Sequence, residues 1–181
     1  GGVIVAAMIV AAIMGAFWTP HDPLKINFVA RLKPPGGDFL LGTDEFGRDE
    51  LSRLLAGASS SVWISFLTVS FAIVAGTAIG TLTGFVRGWT DRIIMAFNNA
   101  LLAFPGLLLA LGLVAVVGAN KYGIILALGL AYTPSVTRIV RGTVLSLREK
   151  EFIESSRVLG NSELYTMFRH VLPNCVAPLT V

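Results

Sequence analysis

From residue 54 to residue 86 the chain carries no charged side chain. About 20 apolar residues in helical form cross the hydrocarbon core of a bilayer. Lipid offers no partner to backbone polar groups, so a run of this kind must close its hydrogen bonds internally, as helix. Residues 1–18, 93–120 and 122–137 are uncharged in the same way. Together these runs predict an all-α fold, a polytopic transmembrane helical bundle forming one domain over residues 1–181. The expected spans are about 1–18, 60–83, 93–117 and 122–139, with the start of a fifth at 172–181. Composition agrees: 14% of residues are charged, where a soluble domain carries about 25%.

The segments between the runs are of two kinds. Residues 19–58 form a loop rich in proline, with Gly36-Gly37 inside it and a short helix expected over 49–56. Asp44, Glu45 and Asp49 crowd there without a fixed ligand pattern. They read as a solvated, helix-capping cluster, with Asp44 or Thr43 as the cap. The opening run, 1–18, lacks the basic region and small-residue cleavage site of a signal peptide, and reads as a spanning helix. The chain starts Gly1-Gly2 with no Met and ends at Val181 inside a new apolar run, so it reads as a fragment of a longer protein. Arg87, Arg92 and the basic residues of 138–169 outnumber Lys25, Arg31, Lys33, Arg48, Arg53 and Lys121. That asymmetry leans toward a cytoplasmic 138–169 and an external 19–58.

Ala72, Gly76, Gly80, Gly84 and Gly88 recur every four residues. On a helix they make one stripe of small residues that admits a second helix. The expected use is helix packing within the chain, centred on Gly76, Gly80 and Gly84. Pro105 and Pro134 fall inside spans and are expected to kink them.

Several functions are excluded. No Lys follows a Gly, so there is no Gly-Lys-Ser/Thr phosphate loop. No span holds an internal Asp, Glu, Lys or Arg for an intramembrane ion relay. The single cysteine, Cys175, cannot form an internal disulfide, and His21 and His170 lack ligand-like spacing. The formal charge of +3 is small and not gathered into a nucleic-acid patch. No nucleophile–base pair or paired carboxylates stand out. What remains is pore-like material with no catalytic residue, no cofactor, no metal and no energy source: either solute flows passively, or another subunit supplies the work.

The most informative segment is 140–171. It is charged and amphipathic, it lies between apolar runs, and its charges keep it out of lipid. Val144, Leu147, Phe152, Ile153, Ser156 and Leu159 approximate one helical face. Gly160-Asn161 breaks the helix, and Ser162 or Asn161 is placed to cap the next one. Leu164, Met167, Phe168 and Val171 form the next apolar face, which Pro173 closes. From the residues alone, two uses stay open. The helix pair either docks in a partner's groove or lies flat in the headgroups.

Glu154-Ser155-Ser156, three residues, Gly160, nine residues, then His170-Val171-Leu172-Pro173 resembles the EAA loop of binding-protein-dependent ABC importer permeases. The family pattern is Glu-Ala-Ala, three residues, Gly, nine residues, Ile-x-Leu-Pro. Ser155 and Ser156 here replace both alanines, and His170 replaces the isoleucine. Leu41-Gly-Thr-Asp-Glu-Phe-Gly-Arg-Asp-Glu-Leu-Ser-Arg53 is similar to the dipeptide, oligopeptide and nickel branch of that family. So are Leu102-Ala-Phe-Pro-Gly106, Arg141-Gly-Thr-Val-Leu-Ser-Leu-Arg148 and Phe168-Arg-His-Val-Leu-Pro-Asn174. The chain most resembles the C-type permease of the pair.

The resemblance implies a type I ABC importer permease fold of six spans, multi-pass in the bacterial inner membrane, here cut off in the fifth. It implies cytoplasmic ABC ATPase subunits, a homologous second permease in a heterodimer, and an extracytoplasmic solute-binding protein as partners. Docking and coupling to the ATPase would fall to Glu154, Ser155, Ser156, Arg157, Leu159, Gly160 and Pro173. Walls of Ala, Gly, Ser, Thr and Phe suit peptides; nickel and glutathione-like peptides stay open as solutes. The rival readings are a passive pore or secondary transporter, and a membrane anchor for a soluble partner.

Overall fold

A computed structural model describes residues 1–175. Seven α-helices follow in order: α1 (Gly2–Phe17), α2 (Glu50–Val86), α3 (Gly88–Leu102), α4 (Gly106–Val117), α5 (Lys121–Leu147), α6 (Glu151–Val158) and α7 (Glu163–Thr166). A wide π turn over Met167–Val171 and a 3-10 turn over Leu172–Cys175 follow α7. No strand occurs among the described residues. Most of the expected fifth span, 172–181, lies outside them. By length and composition, α2 and α5 are each able to cross a membrane, and α3 with α4 makes a third crossing if the bent pair is one span. The chain divides into two compact units, residues 1–66 and the remainder from Leu67.

In the first unit, α1 is apolar and exposed along nearly its whole length. A Cβ on Gly15 would lie 2.0 Å from the Leu55 carbonyl oxygen, so only glycine admits that approach. Residues 19–49 form an ordered loop. Asn27 donates its amide to Phe46 O (3.0 Å), Leu32 to Asp44 O (3.1 Å) and Thr43 to Lys33 O (3.1 Å). Asp44 accepts from the Phe46 and Arg48 amides, both at 2.9 Å, and from Arg53 Nη1 at 2.7 Å.

The short helix expected over 49–56 is the first two turns of the much longer α2. Its cap is neither Thr43 nor Asp44. Asp49 Oδ2 accepts from the Ser52 amide (2.9 Å) and hydroxyl (2.5 Å), the geometry of a side chain capping its third helical residue. Asp44 is instead taken up by Arg48 and Arg53. Thr43 spans the loop, accepting from the Lys33 amide and donating to the Ala30 carbonyl.

In the second unit, α2 and α5 pack backbone against backbone. Cβ atoms built on Gly76, Gly80 and Gly84 would lie 2.6 Å from Val136 Cβ, 2.7 Å from Thr137 O and 2.8 Å from Val144 Cβ. The small-residue stripe of α2 faces α5. The expected single span over 93–117 is broken. The chain bends by 99° between α3 and α4, with Pro105 at the N-cap of α4. This is more than a proline kink, because α3 ends before the proline and a new helix starts after it. Pro134, by contrast, lies inside an uninterrupted α5, and its carbonyl accepts from the side-chain Nδ2 of the buried Asn98 of α3 at 3.1 Å.

Candidate functional site

The charged segment begins later than its charges indicate. Helix α5 runs on to Leu147, and Arg138 and Arg141 belong to it. Arg138 donates to Asn99 Oδ1 (3.0 Å) and Arg141 grips Asp91 through both carboxylate oxygens (2.6 and 2.7 Å). Residues 148–175 then turn back under the ends of α2 and α5.

Helix α6 is two turns long and has two unlike sides. Ile153 is fully buried, in one cluster with Phe85, Val140, Val144, Val171 and Cys175. Ser156 is buried beside it. Its hydroxyl lies 3.1 Å from that of Thr166 and accepts from Asn161 Nδ2, also at 3.1 Å. Glu154 and Ser155 face outward, with Ser155 Oγ donating back to the Glu151 carbonyl (2.8 Å). Leu159 is 80% exposed and Val158 82%. Glu151, Glu154, Ser155, Val158 and Leu159 line a shallow open groove on that outer side.

The apolar face expected as one stripe is therefore split. Val144, Ile153 and Ser156 turn inward, while Phe152 and Leu159 are exposed. In the second stripe Val171 is buried, Leu164 and Phe168 are exposed, and Met167 is half-buried. The reason is length: a two-turn helix followed by a sharp turn cannot keep one stripe continuous.

Gly160 makes that turn. The Asn161 amide donates to Ser156 O (3.2 Å) and the Gly160 amide to Arg157 O (2.9 Å), the paired bonds of a Schellman motif. Gly160 has φ +80° and nothing within 4 Å of a built Cβ. Glycine is needed there for its conformation, not for space. Ser162 caps α7, accepting from the Tyr165 amide (3.2 Å). Arg157 crosses the turn to Glu163, Nε to Oε1 at 2.9 Å. Pro173 does not close the chain's helical path. It is exposed within the 3-10 turn, and the Asn174 side-chain amide donates to the His170 carbonyl (2.7 Å).

The sequence reading missed Thr166, the buried partner of Ser156, because an isolated threonine on a four-residue helix gives no periodic signal. It also missed Arg148. Nη1 of Arg148 donates to the Gly84 carbonyl (3.4 Å) and to that of Phe85. Burial first, then the charges of Arg87 and Arg157, holds the Arg148 pKa below the usual guanidinium value. Among the described residues, no three His, Cys, Asp or Glu side chains converge to hold a metal ion.

Residues 72–181 match the family described as binding-protein-dependent transport system inner membrane component. The chain belongs to this family. It is a multi-pass membrane protein of the helical permease fold. Over 181 residues it is 39% identical to a putative peptide transport system permease protein of Brucella suis, covering all of this chain and 61% of that protein. A dipeptide transport system permease protein of Alkalihalophilus pseudofirmus is 35% identical over all of this chain and 60% of its own length. A glutathione transport system permease protein of Pectobacterium atrosepticum is 35% identical over 99% of this chain and 60% of its own. The chain thus spans about three fifths of the length of these relatives.

Proposed function

We propose that this chain belongs to the membrane-spanning permease subunit of an ATP-driven importer of the bacterial inner membrane. The permease pairs with a homologous second permease to enclose the path of a peptide or related small solute, which an extracytoplasmic binding protein delivers. Helices α2 and α5 and the bent pair α3–α4 cross the bilayer, joined by the shorter α1. The permease has no nucleotide site of its own. Residues 148–175 are cytoplasmic, and within them the outer side of α6 with the Gly160 turn docks the ATPase subunits.

The observation that carries this reading is the two-sided build of the α6–Gly160–α7 segment. Ile153 and Val171 are fully buried against Phe85 of α2 and Val140 and Val144 of α5. On the other side Glu154, Ser155, Val158 and Leu159 stand open. A helix lying flat in headgroups would put its apolar side toward lipid. Here the inner side is occupied by the chain's own helices, which frees the outer side for a partner. The names of the relatives, peptide, dipeptide and glutathione permeases, support peptides as the solute class.

The test is uptake of radiolabelled alanyl-alanine into vesicles that contain the full-length permease pair, two ATPase subunits and the binding protein. Uptake should require hydrolysable ATP. Uptake that proceeds equally without ATP would instead identify a passive pore.

A further inference from the structure

One motif has no role in docking: Arg141-Gly-Thr-Val-Leu-Ser-Leu-Arg148. Its two arginines are seven residues apart, two turns of helix, and so project from one side of α5 and its C-terminus. They hold the two helix ends on either side of the turn that joins α2 to α3. Arg141 holds Asp91, in the first turn of α3, with Nε–Oδ1 at 2.6 Å and Nη2–Oδ2 at 2.7 Å. Paired parallel bonds of this kind fix orientation as well as distance. Arg148 donates to the carbonyls of Gly84 and Phe85, and its guanidinium lies 5.2 Å from the centre of the Phe85 ring. Those carbonyls belong to the last turn of α2, which has no helical donors of its own, and a cation is favoured at that end of a helix.

The turn so held is strained. Arg87 has φ +59° and Gly88 φ +71°, and a non-glycine residue in that region persists only where its surroundings impose it. Phe85, under Arg148, belongs to the same buried cluster as Ile153 of α6. The two arginines therefore tie the α2–α3 turn to the end of α5 directly above the helix proposed to dock the ATPase. Neither arginine lines the outer groove of Glu151, Glu154, Ser155, Val158 and Leu159.

We propose that Arg141 and Arg148 are positioning residues that make the α2–α3 turn move as one body with α6, and so set how much solute moves per ATP hydrolysed. This rests on the docking reading above. The test uses the full-length permease pair with its ATPases and binding protein in vesicles, comparing wild type with Arg141→Gln, Arg148→Gln and the exchanged pair Asp91→Arg/Arg141→Asp. ATPase retention, ATP hydrolysis and uptake of radiolabelled alanyl-alanine are measured on the same vesicles.

The glutamine variants should keep the ATPase and hydrolyse ATP, while peptide moved per ATP falls about tenfold, a typical coupling between distant sites. The exchanged pair should recover most of that loss, as a direct pair interaction requires. Unchanged peptide per ATP in both glutamine variants overturns the inference, as does an equal fall of uptake and hydrolysis. If the glutamine variants do not fold, Arg148→Lys decides. It keeps the charge but loses the planar guanidinium that lies over the Phe85 ring and aims Nη1 at both carbonyls, so an unaltered ratio in it overturns the role of Arg148. A wild-type complex that retains no ATPase defeats the docking reading itself, and the inference with it.

Discussion

Gly80 and Gly160 are glycines for opposite reasons, and substitution separates them. A Cβ on Gly80 would lie 2.7 Å from Thr137 O and 2.8 Å from Val140 Cβ. Neither atom belongs to the free end of a flexible side chain, so α2 and α5 must move apart. Gly80→Ala should cost about 1–3 kcal/mol through overpacking, read as a lower melting temperature in detergent. Gly112 in α4 has nothing within 4 Å, and Gly112→Ala should be neutral or gain up to about 1 kcal/mol from helix propensity. At Gly160 the space is open and only the positive φ excludes other residues. Asparagine tolerates that region and valine does not. Gly160→Asn should keep the α6–α7 turn and Gly160→Val should lose it, measured as exchange protection of the Gly160 and Asn161 amides. The four-residue recurrence of glycine is written in the sequence. The surface it faces is not, since small residues record only that something comes close. Nor could spacing decide between Phe152 and Ile153, adjacent apolar residues of which one is exposed and the other fully buried.

Among the elements, α6 is held by few side chains. Ile153→Ala should destabilise the segment by about 2–5 kcal/mol, the usual cost of emptying a filled core site, and loosen 148–175 before the long helices melt. Phe152→Ala, on the exposed side, should have little effect in the same melting experiment. The loop 19–49 carries a pH prediction. Burial raises the Asp44 pKa, but hydrogen bonds from Arg48 and Phe46 and the Arg48 charge outweigh it, and the net value lies below the usual carboxylate range. A carboxyl depressed on folding stabilises fully above its unfolded pKa of about 3.9, and the effect is lost as pH falls through the folded value. Protection of the Phe46 and Arg48 amides should thus hold from neutral pH down to about 4 and decline below it; Asp44→Asn should abolish that pH dependence. The acidic cluster was legible as a capping device, but which carboxylate caps α2 was not. Asp44 and Thr43 are the expected caps; Asp49 takes the position because Arg48 and Arg53 occupy Asp44 and Thr43 is bonded across the loop. The 99° break between α3 and α4 was legible only as a kink. A proline shows where a helix is weak, and packing decides how far the chain turns there.

For the whole molecule, the uncharged runs determine the class. They are too long and too apolar for a soluble domain, and the helices α2 and α5 fall on them. Hydropathy does not show that the charged segment 148–175 returns beneath α2 and α5, since that depends on the contacts of Ile153, Val171 and Arg148. Those contacts join an open surface to the helices proposed to cross the bilayer, and they are the basis for reading the segment as the place where ATPase work enters. The central claim is most directly tested by detergent co-purification of ATPase subunits with the full-length permease pair, in wild type and in Glu154→Lys and Gly160→Val. The account predicts that the wild-type pair retains the ATPase and that both variants release it while the permease pair stays assembled. Retention by both variants at the wild-type level, or no retention by an intact wild-type pair, would contradict it.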